Sequence, residues 1–91
     1  MSAKVKFFAY FRELFAAKEK VVALQAGTMV RDVLAGLCDS AARRSEIFDG
    51  DRLKPHIVVM INGAGIQSFQ GLETPLKDGD VLSVFPLMGG G

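Results

Sequence analysis

Residues 80–91 run Asp80-Val81-Leu82-Ser83-Val84-Phe85-Pro86-Leu87-Met88-Gly89-Gly90-Gly91. The first six alternate with a period of two, which predicts a strand over 80–85. Pro86 closes it, since it has no N–H to give to a ladder. The hydroxyl of Ser83 assigns the faces: Leu82 and Val84 point to a core, and Ser83 and Phe85 point away from it. A strand with one apolar face needs a cover. Residues 29–43 supply it, because Val30, Val33, Leu34, Leu37 and Cys38 recur at i, i+3, i+4, i+7 and i+8, the stripe of an amphipathic helix. Thr28 is its expected N-cap, and Arg31 at the third helical position leaves no capping box. Gly36 weakens the helix modestly.

Ahead of the helix, residues 4–11 (KVKFFAYF) predict a first strand. Val5, Phe7, Ala9 and Phe11 form its core face, and Lys4, Lys6, Phe8 and Tyr10 form a solvated one. A short helical or irregular connector over 12–19 leads to a second strand at 20–25 (KVVALQ). After the helix, 45–55 is polar and turn-rich and predicts a surface connection. The β-branched run 56–61 (HIVVMI) predicts a central strand buried on both sides, with Met60 inside it, and Asn62-Gly63 predicts the turn that ends it. A weaker strand is expected at 66–69, with Phe69 in a satellite core, and Asp78-Gly79 predicts the turn before the last strand. The result is an α+β fold, a mixed sheet of four to five strands with one main helix packed across one face. If the first and last strands are neighbours, Phe8 and Phe85 share the uncovered face as an exposed apolar patch.

Composition narrows the function classes. Ninety-one residues at 49% apolar suit one soluble domain, and seven Phe argue against intrinsic disorder. Eleven Lys plus Arg against ten Asp plus Glu leave a formal charge of +1, so no sequence-wide basic field is available for nucleic acid or an anionic membrane. Cys38 is the sole cysteine and His56 the sole histidine, which excludes an internal disulfide and a Cys/His zinc site and fits a reducing cytoplasm. On the helix stripe Cys38 is expected to be a packed core thiol rather than a nucleophile, and His56 a surface or edge residue. No bound cofactor or metal is expected.

The reactive group is instead expected at the chain's end. Residues 1–85 form the domain and 86–91 a flexible tail, which if extended projects on the order of 20 Å. Consecutive glycines lack Cβ atoms and thread channels too narrow for other residues. What they deliver is the carboxylate of Gly91. A carboxylate is a poor acyl donor until ATP converts it to an acyl-adenylate, after which sulfur or an amine can attack it.

The sequence carries Phe7-Phe8-Ala9 and Arg12-Glu13-Leu14, then Gly27-Thr28, Asn62-Gly63, and the stretch Thr74-Pro75-Leu76-Lys77-Asp78-Gly79-Asp80-Val81, and it ends Phe85-Pro86 to Gly90-Gly91. In that order and spacing these resemble the small sulfur-carrier subunit of molybdopterin synthase, of the MoaD/ThiS family. The resemblance runs the full chain and implies a ubiquitin-like β-grasp fold. It implies a carrier that is not an enzyme on its own. An E1-like adenylyltransferase with ATP and Mg²⁺ activates Gly91, and a sulfur donor such as a cysteine desulfurase or rhodanese-type protein makes the thiocarboxylate. The large catalytic subunit of molybdopterin synthase then accepts the tail, for sulfur transfer to precursor Z. Phe8, Phe85, Pro86, Leu87, Met88, Gly89 and Gly90 match partner-contacting positions. Gly89 and Leu87 depart from the family pattern, which often has a side chain before the Gly-Gly pair and a second proline after Phe-Pro. The same tail chemistry also suits a ubiquitin-like protein modifier or a thiamine-pathway sulfur carrier.

Overall fold

The computed structural model describes residues 1–87. The chain runs β1 (Ser2–Phe7), α1 (Tyr10–Leu14), β2 (Glu19–Ala23), α2 (Val30–Leu37), α3 (Ala41–Ile47), a small ribbon of β3 (Phe48–Asp49) and β4 (Arg52–Leu53), then β5 (Ile57–Ile61), β6 (Ala64–Gly65) and β7 (Val81–Pro86). The main sheet has the order β2-β1-β7-β5-β6. Its central pair, β1 and β7, is parallel, and the other pairings are antiparallel. This is the mixed sheet that the periodicities predict, here with five strands, and it is the β-grasp arrangement that the resemblance implies.

The helices cover one face. Val5 and Phe7 of β1, Leu82 and Val84 of β7, and Val59 and Ile61 of β5 form one buried cluster with Val30, Val33 and Leu34 of α2. Leu82 and Val84 are fully buried, while Ser83 and Phe85 are only half-buried, so Ser83 does set the faces of the last strand. Asn62 (φ 51°) and Gly63 (φ 88°) make the two-residue turn between β5 and β6, with Ile61 opposite Ala64. Positive φ at both positions is what a tight hairpin following the strand twist requires.

Several expectations are corrected. The first strand stops at Phe7, not at residue 11. Phe8 N–H still reaches the carbonyl of Val84 (3.1 Å), but Ala9 then turns to φ 54° and α1 begins. Ala9 is exposed, and Phe11 is buried from a helix rather than a strand. The turn is held by Arg12, whose Nε donates to the carbonyl of Phe7 (2.9 Å), and by the stacking of Phe7 on Phe15 at 4.6 Å.

The single helix over 29–43 is two helices. α2 ends at Leu37 with Cys38 as its C-cap, and Ser40 caps α3 by accepting from the N–H of Arg43 (3.1 Å). Asp39 and Ser40 end the apolar stripe and offer local hydrogen bonds that compete with the helix. The start also differs. Met29 is the N-cap, Asp32 Oδ2 accepts from its N–H (2.9 Å), and Thr28 Oγ1 instead accepts from Gln25 N–H. The acidic partner that a capping box needs is therefore present one residue later than expected. Thr74 and Leu76 fix this start from outside, through Val30 N–H to Thr74 O and Leu76 N–H to Thr28 O.

Residues 45–55 are more than a surface connection. Ile47 and Phe48 are buried, and Lys54 N–H closes the ribbon onto Ile47 O. β5 is buried on one side only, since Val58 and Met60 are half-buried on the open face. Where a strand was expected at 66–69, the chain makes the two residues of β6 and a 3₁₀ turn over Ile66–Ser68, with Phe69 51% exposed.

Leu82→Ala removes fully buried volume at the sheet centre, and a loss of roughly 2–5 kcal/mol in urea unfolding is expected. Cys38 is half-buried against the core, and burial pushes its thiol pKa up, with Arg44 opposing that shift. It should therefore react with iodoacetamide at neutral pH more slowly than a free peptide thiol, and at the peptide rate only after denaturation.

Candidate functional site

The uncovered sheet face carries an apolar groove of about 370 Å³ lined by Phe8, Ala9, Met60, Ser83, Phe85 and Pro86. Strand register assembles it. In the parallel β1–β7 pair Phe7 lies opposite Val84, so Phe8 and Phe85 emerge side by side, their rings edge to face at 6.0 Å and 88°. In the antiparallel β5–β7 pair Met60 lies opposite Ser83 and Val58 opposite Phe85, which supplies the other wall. The small Ser83 side chain forms the floor. Phe8 is 37% exposed on a face where burial does not require an aromatic ring.

One rim is cationic. The guanidinium of Arg12 lies over the Phe8 ring, 5.5 Å from its centroid. Lys4 and Lys6 project from β1 on the same face, and Lys4 is drawn to Glu19 of β2 (3.6 Å). The tail leaves from the Phe85–Pro86 side of the groove. Pro86 pairs with Ile57, and Leu87 N–H donates to the carbonyl of His56 (2.6 Å), so the ladder holds the chain beyond Phe85. His56 is exposed, as expected of an edge residue, and its Nε2 hydrogen-bonds the Tyr10 hydroxyl (3.1 Å). Partial burial and then the nearby Glu46 carboxylate push the Tyr10 pKa up, so the hydroxyl stays protonated at neutral pH.

Of the predicted site residues, Phe8, Phe85 and Pro86 meet in the groove, and Leu87 stands 61% exposed beside it. Met88, Gly89, Gly90 and Gly91 lie outside the described residues. The sequence reading missed Met60, Ala9 and Arg12 as members of the site. The period of two in 57–61 was a signal for Met60, because it alternates with Val59 and Ile61. Among the described residues no cluster of His, Cys, Asp and Glu could hold a metal ion, and no helix is long and apolar enough to cross a membrane. A second concavity of about 440 Å³ lies at the far end of β5, bordered by Asn62, Phe69, Lys77 and Asp80.

The chain is 39% identical, over 94 residues covering all of both proteins, to the small archaeal modifier protein 3 of Haloferax volcanii. The solution structure of the small archaeal modifier protein 1 from Methanosarcina acetivorans superposes with a TM-score of 0.80 at 36% identity, covering 99% of this chain and 96% of that one. A putative molybdopterin converting factor subunit 1 from Pyrococcus furiosus superposes with a TM-score of 0.74 at 30% identity, covering 97% and 99%. The sequence pattern of the ThiS family matches residues 5–91, from the first strand through the last glycine. The chain therefore belongs to the ThiS family, the ThiS/MoaD group of ubiquitin-like proteins of the sulfur-carrier type.

Proposed function

We propose that this chain is a ubiquitin-like protein modifier whose C-terminal Gly91 is activated and joined to lysine side chains of other proteins. The observation that carries this is the 39% identity to a small archaeal modifier protein over the whole of both chains. In this reading an E1-like adenylyltransferase, using ATP and Mg²⁺, docks on the Phe8–Phe85 groove. A Gly91 carboxylate oxygen attacks the α-phosphorus of ATP and pyrophosphate leaves. A lysine amine then attacks the acyl-adenylate carbonyl, AMP departs with the bonding pair, the amine loses a proton, and an isopeptide bond forms. The chain contributes a docking face and a terminus, and its partner supplies the catalysis.

A second reading, sulfur carriage, is favoured by the likeness to the molybdopterin converting factor subunit at 30% identity. It shares the adenylate and differs in the attacking atom. The terminal sulfur of a persulfide attacks the acyl-adenylate carbonyl and AMP leaves. A cysteine thiol of the sulfur donor or activating enzyme then attacks the other sulfur of the acyl disulfide, forming a disulfide and releasing the thiocarboxylate, which the large subunit of molybdopterin synthase would use to build the dithiolene on precursor Z.

The two separate by mass. Recovered from its own cell under non-reducing conditions, the chain should appear in adducts with other proteins joined through Gly91 to lysine, seen as Gly-Gly-Gly remnants on lysine after cyanogen bromide cleavage at Met88. A free chain with sulfur in place of one terminal oxygen, and no adducts, would favour sulfur carriage. Neither form in the presence of an activating enzyme and ATP would exclude both. Phe85→Lys should keep the fold, because the ring stands on the open face, and should lower activation of Gly91 by on the order of tenfold or more. Loss of the native circular dichroism spectrum in that variant would show that the ring is needed by the core.

A further inference from the structure

We propose that Arg12 selects the partner on this face, and that the partner presents an apolar side chain flanked by carboxylates. The inference rests on the activation step of the preceding reading and names the chemistry of the surface that would carry it out.

Arg12 is placed before any partner arrives. Its Nε donates to the carbonyl of Phe7 and its guanidinium carbon lies 5.5 Å from the Phe8 ring centroid, so the planar head is held at the groove's rim. Those contacts use one edge of the fork. The terminal nitrogens have no carboxylate within 4 Å among the described residues, whereas Arg31 is paired to Glu73 (2.6 Å) and Arg43 to Asp39 (2.7 Å). A partner side chain that covers Phe8 must also strip water from the cation lying over it. A buried guanidinium without an anion is costly, so a neutral surface that filled the groove would bind poorly. A carboxylate can take the free edge of the fork through two parallel hydrogen bonds, and little ordering remains to be done on this side.

The charge around the groove points the same way. Lys6 lies opposite Ser83, the groove's floor, and Lys4 is one step further along β1. Glu19 is the sole carboxylate on the sheet strands of that face and lies against Lys4. On a chain whose formal charge is only +1, this border is a local cationic field that an acidic rim would complement.

The test is ATP–pyrophosphate exchange by the E1-like adenylyltransferase of the same cell, with this chain as the varied substrate. Arg12→Glu should raise KM by on the order of tenfold or more and leave kcat within about twofold, Arg12→Lys should fall between, and Lys6→Glu should raise KM less. The differences should shrink as salt rises. A purely structural role for Arg12 would instead lower the active fraction without salt dependence, and Lys6→Glu leaves the Phe7 carbonyl contact untouched should Arg12→Glu fail to fold. An unchanged KM in both reversals, with the wild type active, overturns the inference and leaves the proposed function standing. Self-association that is lost in Arg12→Glu without any effect on exchange also overturns it, in favour of a second copy as the occupant. A wild type that supports no exchange brings down the modifier and carrier readings together with this one.

Discussion

The parallel pairing of β1 with β7 is the constraint on which the rest of the structure depends. Two strands from opposite ends of the chain lie side by side, with Val5 opposite Leu82 and Phe7 opposite Val84, and all four side chains are fully buried. A parallel pair cannot be closed by a tight turn. Everything between the two strands is the return path, and its helices cover the face on which those side chains stand. The same register carries Phe8 and Phe85 to the other face as neighbours, at the end of the sheet from which the tail departs. Core and groove are thus two sides of one alignment. A slip of β7 by one residue against β1 would invert its faces, bringing Ser83 and Phe85 to the core side and Leu82 and Val84 to the open one.

Strong local periodicity made most of the fold legible in the sequence. The alternation around Ser83 gives the faces of β7, the stripe from Val30 gives α2, and Asn62-Gly63 gives the β5–β6 turn. The failures have two physical causes: hydrogen bonds that hydrophobic periodicity does not register, some of them long-range, and local capping and turn chemistry that interrupts the period. In KVKFFAYF the alternation continues past Phe7, yet the strand ends there. Ala9 is held at positive φ, unusual for a residue with a Cβ, by contacts from both sides: Phe8 N–H to Val84 O, and Arg12 Nε to Phe7 O. Val84 lies far outside any window of neighbouring residues, and Arg12, five residues from Phe7, carries no pattern that shows it turning back. The helix break at 38–40 has local causes in Asp39 and Ser40, but α3 is set in place by Arg43 Nε reaching the carbonyl of Leu14 (2.8 Å) on α1. Phe69, at the end of the weak strand expected at 66–69, stands outside rather than in a satellite core, because the 3₁₀ turn over Ile66–Ser68 replaces that strand and buries Ile66 instead.

The candidate site divides along the same line. Phe8 and Phe85 are legible because a period of two leaves an aromatic ring on a face shared with Lys6 and Ser83, where burial does not explain it. Arg12 is not. It lies four residues past Phe8, and only the turn at Ala9 folds it back over the ring. Met60 is partly legible, hidden by a run so uniformly apolar that it looks buried on both sides. The half-burial of Val58 and Met60 comes from the absence of a second covering layer, a tertiary fact with no signature inside residues 57–61.

The groove and the tail are coupled through Pro86, which lines the first and begins the second. Pro86 is paired with Ile57, and the next N–H is bonded to His56, whose ring is held by Tyr10. A surface that fills the groove therefore holds the chain to within one residue of Leu87. Beyond that point four residues remain, 88–91, with a contour of at most ~14 Å. Under the proposed function, so short a tether would turn the contact energy of the apolar face into positioning of the Gly91 carboxylate. In the proposed function the groove holds the chain and Gly91 is the residue to be positioned. The hydrogen bond between Leu87 and His56 sets where that short tether starts, so under the proposed function each residue added or removed beyond it would shift the Gly91 carboxylate by about 3.3 Å along an extended tail.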